Sequence, residues 1–131
     1  MSSVNLKIAL VLYGAINIAA GIMLVISPAR MAWLYGFNSS STEAVSNPVA
    51  YLMVIMGAAF ITAGVWFAMT FLDPVRNINS VRFAVLWAAL MFIVPLYALS
   101  KGYIEVGQMW LGVILNGIFA AAFLIFYPRN R

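Results

Sequence analysis

The chain contains neither cysteine nor histidine. Without cysteine there is no disulfide, thiolate nucleophile or redox dithiol, and no compartment can be read from cysteine usage. Without histidine there is no imidazole base, bis-histidine haem or histidine metal site. Acids are almost as scarce: Glu43, Asp73 and Glu105 are the whole set, and none falls inside an apolar run. A carboxylate metal cage and an intramembrane acid pair are therefore not expected either. The expectation is no catalytic residue, no metal site and no cofactor. Charged residues amount to 8% of the chain, against about 25% in soluble domains. The net charge of +4 is scattered rather than clustered, so no nucleic-acid partner is expected.

What the chain has instead is apolar surface. Of its 131 residues, 66% are hydrophobic, where a soluble domain carries roughly 45–50%. A water-soluble sphere this small needs far more polar surface. The lipid bilayer is the expected solvent, and the whole chain, residues 1–131, is read as one integral membrane domain.

Four stretches without a formal charge stand out at Ile8–Ile26, Val49–Leu72, Phe83–Leu99 and Val106–Tyr127. Each approaches the ~20 residues a helix needs to cross a hydrocarbon core of ~30 Å. The third is shortest and is extended by Val81 and by Arg82, whose charge snorkels to the headgroups. Lipid cannot satisfy backbone amides, so each stretch is predicted to be helical. The expected fold is an all-α transmembrane four-helix bundle, up-down-up-down, with spans at about 8–26, 49–72, 81–99 and 106–127. The first stretch is too long for a signal-peptide core and lacks a small-x-small cleavage site, so it is read as a retained span.

The segments between the runs carry their own signals. Ser27-Pro28 offers an N-cap followed by proline at the first helical position, and Gly36 a stop. The segment between them, with Met31, Trp33, Leu34 and Tyr35, is predicted to be a short interfacial helix. Asn38-Ser39-Ser40 matches a glycosylation sequon. Asp73-Pro74 and Pro128 close the second and fourth runs, and Pro95 is expected to kink the third. Lys7, Arg76, Arg82, Arg129 and Arg131 collect on one side, Arg30 and Lys101 on the other. The bias of basic residues toward the cytoplasm places both termini inside.

Two patterns inside the runs suggest sites. Gly14-Ala15 and Ala20-Gly21 in the first run are echoed by Gly57-Ala58 and Ala63-Gly64 in the second. Small residues seven apart share a helix face and let backbones approach. Gly14, Gly21, Gly57, Gly64, Gly112 and Gly117 are therefore read as helix-packing positions. The echo also admits a duplicated two-helix ancestor or a parallel repeat.

Polar residues form the second pattern. Asn17, Thr62 and Asn116 fall near the midpoints of the first, second and fourth runs. Gln108, Gly112, Asn116 and Ala120 recur at i+4 and make one stripe. An amide facing hydrocarbon is costly, so both asparagines are expected to point inward. They are expected to bond to each other, or through Thr62 or a water, on neighbouring helices. Asn17, Thr62, Asn116 and Gln108 either hold the bundle together or line a midplane pocket for a hydrophobic ligand. The eight methionines suit an adaptable pocket and ordinary packing equally. Trp33 and Trp110 fit an interfacial belt, while Trp66 and Trp87 lie deeper and are expected to pack against neighbouring helices.

Leu12-Tyr13-Gly14, Gly21, Ser27-Pro28 and Gly36 place glycine, glycine and proline at positions 14, 21 and 28. With the second glycine pair and four short helices, this resembles the DoxX-like group of small bacterial four-helix membrane proteins, over roughly the first 65 residues. Members of that group are accessory subunits of oxidoreductase systems or proteins of unknown role, so the resemblance implies a bacterial inner membrane and no catalytic residue to carry over. The leading functional expectation is a non-catalytic accessory or assembly subunit, homo-oligomeric or part of a larger membrane complex. The alternative is a carrier or binder of a quinone, lipid or aromatic compound in the midplane pocket. An enzyme is expected only if a bound cofactor supplies the chemistry.

Overall fold

A computed structural model of the chain describes residues 2–34 and 47–128. Five helices follow in order: α1 (Ser2–Ile26), α2 (Pro28–Leu34), α3 (Asn47–Thr70), α4 (Ile78–Ser100) and α5 (Val106–Ile125). All but α2 are long and apolar enough to cross a membrane. The protein is an all-α bundle and a small multi-pass membrane protein.

Helix ends differ from the apolar runs by a few residues, for local reasons. α1 starts at Ser2 rather than Ile8 because its polar first turns still gain the backbone bonds of a helix. α3 ends at Thr70, two residues before the end of its apolar run. The N–H groups of Phe71, Leu72 and Asp73 bond the carbonyls of Ala68, Met69 and Thr70, tightening the chain ahead of Pro74. α5 stops at Ile125, and the Phe126 N–H bonds the Ala122 carbonyl at 2.9 Å. α4 continues through Pro95 to Ser100. It is closed by Gly102 at φ +77°, the one positive φ among the described residues. Gly102 N–H reaches the Leu99 carbonyl and Tyr103 N–H the Ala98 carbonyl, both at 3.0 Å. This paired closure satisfies last-turn carbonyls and needs the left-handed residue that glycine supplies without strain.

The short helix expected after the first span is present as α2. Its Met31 N–H bonds the Ser27 carbonyl at 3.1 Å, Met31 is buried and Trp33 is exposed. Tyr35, Gly36, the sequon, Glu43, Arg129 and Arg131 lie outside the described residues.

α1 and α3 run antiparallel along each other, and the glycine echo is their seam. A methyl group on Gly14 would lie 2.7 Å from the Gly64 carbonyl oxygen, and one on Gly64 2.6 Å from that of Gly14. Gly21 and Gly57 stand in the same reciprocal relation, each 2.6 Å from the other's oxygen. Ile61 packs at Gly21 as Ile18 packs at Gly64. Turning the pair over therefore brings Gly14, Ile18 and Gly21 onto Gly57, Ile61 and Gly64. The echo is thus an inverted one about an axis across the helices, not a parallel repeat.

α4 lies along α5, and these two pairs meet over shorter contacts, α1 with α5 and α3 with α4. The contacts collect at one end. Leu6, Leu10 and Tyr13 of α1, Ala63 and Phe67 of α3, Val81, Ala84 and Ala88 of α4 and Phe123 of α5 are one buried cluster. We call this the basic end, since Lys7, Arg76 and Arg82 lie there. Toward the opposite end no residue of α4 beyond Ala88, and none of α5 before Phe123, is buried. Between the two pairs the bundle is packed tight in one half of its thickness and loosely in the other, while the α1–α3 seam runs on through the loose half at Gly21 and Gly57.

Candidate functional site

The boundary between the tight and loose halves is polar. Tyr13, Asn17, Trp87 and Asn116 meet there, close to the middle of their helices. Tyr13 is buried and presents its hydroxyl to α5, donating to Asn116 Oδ1. Asn116 Nδ2 donates to its own helix at the Gly112 carbonyl, 2.8 Å. Asn17, 4% exposed, donates from Nδ2 to the Tyr13 carbonyl at 2.8 Å. Its Oδ1 accepts the Trp87 indole N–H at 3.1 Å. Two side-chain bonds thus cross between helices, α1 to α5 and α4 to α1. Among the described residues no buried side-chain nitrogen or oxygen lacks a partner.

Aromatic rings surround this network on its basic side. The Tyr13 ring stacks on Phe67 at 5.5 Å, lies against Phe119 at 4.7 Å and meets the edge of Phe123 at 5.4 Å. Trp87 meets Phe60, Phe67 and Phe83 at 5.5, 6.1 and 5.9 Å. Tilted and edge-on ring pairs of this kind add about 0.5–1.5 kcal/mol beyond their buried area. The rings also keep a low dielectric around the four polar groups, which strengthens each bond and makes a lost partner costly.

Both asparagines point inward, as their cost in lipid requires, but they do not bond to each other. Tyr13 stands between them, with its hydroxyl on one and its carbonyl on the other. Thr62 is outside the network: it is exposed, and its hydroxyl donates to the Ala58 carbonyl at 3.0 Å on its own helix. Matching depth placed Thr62 beside the asparagines, but its azimuth on α3 turns it outward. Gln108 is also elsewhere, at the loose end. Its Oε1 accepts the Glu105 N–H at 2.9 Å, a reach back to the first residue before α5 that offsets an unsatisfied helix-start amide. Gly117 packs as expected, its α-carbon facing the Phe92 ring so closely that a methyl would meet it at 3.0 Å. Gly112 serves through its carbonyl.

Tyr13 and Trp87 are the members that the sequence reading missed as polar partners. Their signal was present: a phenol and an indole N–H in mid-span must find acceptors where water is absent. The network sets up a double-mutant test. Asn17→Leu with Trp87→Phe, and Tyr13→Phe with Asn116→Leu, are expected to couple by about 0.6–2 kcal/mol each. Asn17→Leu with Asn116→Leu is expected to be near additive. Unfolding measured in bicelles decides this, and strong coupling of the two asparagines with none in the other pairs would overturn the bonding scheme.

A second feature lies on the face shared by α3 and α4. Ala59, Thr62, Ala63, Phe83 and Trp87 line an open groove of about 350 Å³. It continues past Trp66 into a space of about 240 Å³ bounded by Met69, Thr70, Leu72, Asn77 and Ser80. Trp66 bridges the groove, its indole N–H donating to Ser80 Oγ at 2.9 Å. Among the described residues no cluster of acids could hold a metal ion. No protein-family model matches the chain, and no curated protein or solved structure is detectably similar to it.

Proposed function

We propose that the chain is a non-catalytic subunit of a membrane assembly, an accessory or assembly module whose α4–α5 pair is completed by a second copy or by another membrane protein. The gradient of burial along the chain carries this reading. The apolar windows of α1, α3, α4 and α5 are 39%, 22%, 11% and 6% buried. α1 and α3 complete each other through their glycines, whereas the loose half of α4–α5 has no buried residue. Lipid tails are as apolar as leucine, so such a face is stable in a bilayer, and another helix replaces the lipid there without a hydration penalty. The pairing of Asn17, Asn116, Tyr13 and Trp87 among themselves supports a structural role for the midplane rather than a chemical one. The glycine and proline positions that resemble the DoxX-like group support the accessory role. Basic residues gathered at one end support an orientation with both termini in the cytoplasm, and the same DoxX-like positions support a bacterial inner membrane.

The test is site-specific photo-crosslinking in native membranes. A crosslinker at Ile93 or Ile114, exposed in the loose half of α4 and α5, is expected to give a protein adduct of discrete mass. One at Leu12, exposed on α1, is expected to give lipid adducts. Lipid adducts alone at all three positions, or equal protein adducts at all three, would overturn the proposal. A second reading, a binder of a quinone, lipid or aromatic compound, is favoured by the α3–α4 groove. The mutually bonded midplane amides do not favour it.

A further inference from the structure

We infer that the α3–α4 groove is a binding site for a single glycerophospholipid of the leaflet at the basic end. The occupant's phosphate would sit at Asn77 and Ser80, and one of its acyl chains would run along Trp66 to Trp87. The inference stands apart from the subunit reading and gives the binder reading a site and an occupant.

Three observations define the occupant. The first is length. The groove runs from Thr70, the last residue of α3, to Ala59 near its middle. At about 1.5 Å per helical residue this is roughly 16 Å, about half of a ~30 Å hydrocarbon core. It is one leaflet deep, the reach of a single acyl chain.

The second is polarity, graded along the membrane normal as in a phospholipid. At the helix end the wall carries Asn77 and Ser80 beside Met69 and Leu72, while the inner part is Ala59, Ala63, Phe83 and Trp87; Thr70 and Thr62 each turn their hydroxyls to a carbonyl of their own helix.

The third is the hydrogen-bond bookkeeping at the polar end. Ser80 Oγ accepts from Trp66, which leaves its hydroxyl hydrogen to donate. Asn77 uses one amide hydrogen on the Asp73 carbonyl at 2.9 Å and keeps the other. Arg76, next in the chain and exposed, adds a cation at the same level, beside the Asp73 carboxylate, whose Oδ1 accepts the Arg76 backbone N–H at 3.1 Å. Donors and a cation suit a phosphate diester. A free hydrocarbon would use neither, and a sterol, whose one hydroxyl can accept from a donor, brings no charge to meet the cation. Alanine at positions 59 and 63 keeps the inner wall low enough for a chain to lie against the two indoles.

Tryptophan quenching in detergent micelles tests this. Trp33→Phe/Trp110→Phe protein leaves Trp66 and Trp87 as reporters, both on the groove wall. Titration with phosphatidylglycerol brominated on its chains is expected to quench saturably at about one lipid per chain. Ala59→Phe, which fills the groove from an exposed position, is expected to abolish the saturable part. Ala58→Phe, one residue away on a face outside the groove, is expected to leave it intact with unchanged helical circular dichroism. Quenching that rises linearly with the lipid-to-detergent ratio, or that survives Ala59→Phe, overturns the inference. Saturation by decylubiquinone but not by the brominated lipid also overturns it, while leaving the binder reading in place.

Discussion

Gly57→Leu and Gly14→Leu are expected to abolish the folded α1–α3 pair, and to do so equally. At each position the added Cβ would stand 2.6 or 2.7 Å from a carbonyl oxygen of the opposing helix. The obstacle is backbone, not the movable tip of a side chain, so relief requires the helices to part along the whole seam. Overpacking of a single methylene in a close-packed core costs about 1–3 kcal/mol. An entire leucine side chain against backbone exceeds that range and separates the helices. Alanine at the same positions is expected to cost about 1–3 kcal/mol on that scale. Gly107, whose Cβ position meets nothing within 4 Å beyond its chain neighbours and its own helix backbone, is the control, and Gly107→Leu is expected to be tolerated. Thermal denaturation by circular dichroism in a mild detergent distinguishes these cases. A Gly57→Leu protein that melts with the parent would show that the seam is not as described.

The second large effect is expected at Tyr13. Tyr13→Ala removes a ring packed against Phe67, Phe119 and Phe123 together with the hydroxyl bound to Asn116. Large-to-small changes of an aromatic core residue cost about 3–5 kcal/mol. In lipid the loss is of packing contacts and a hydrogen bond rather than of hydrophobic burial, which leaves the lower part of that range. Tyr13→Phe keeps the rings in place and is expected to cost about 1–2 kcal/mol, leaving Asn116 Oδ1 without its cross-helix donor. Steric-trapping or denaturant unfolding in bicelles measures both. Equal destabilisation by phenylalanine and alanine would assign the effect to the hydroxyl alone and remove the ring cluster as a source of stability.

Depth in the membrane was legible in the sequence; azimuth around each helix was not. The apolar runs located all four spanning helices, and the midpoints of two runs put Asn17 and Asn116 at one level, where both bond in toward the bundle. Thr62 shares that level but faces out. α3 is apolar on every side, so only its glycines mark the inward face, and the turn of helix between Gly57, Gly64 and Thr62 separates them. Gln108 carried two patterns at once. It sits on the i+4 stripe of Asn116, and it stands three residues after Glu105 at the start of a helix. The second prevailed because an unsatisfied backbone amide at a helix end is a stronger demand than a place on a stripe. The glycine echo was visible as a repeat, but its sense was not, since seven-residue spacing reads the same in parallel and antiparallel pairs. Tyr13 was hidden for a different reason: an aromatic residue in a run of apolar ones looks like packing until its hydroxyl needs a partner.

The inverted seam has a consequence for how the protein enters its membrane. An interface that superposes on itself when turned over is blind to up and down: Gly14 against Gly64 and Gly57 against Gly21 are the same contact seen from opposite surfaces. The packing free energy of α1 on α3 is thus the same for either direction of insertion. What the seam leaves open falls to charges placed unevenly along the chain, with Lys7, Arg76 and Arg82 at one end and Arg30 and Lys101 at the other. A handful of charges is then enough to bias the orientation of a pair whose own cohesion is indifferent to it.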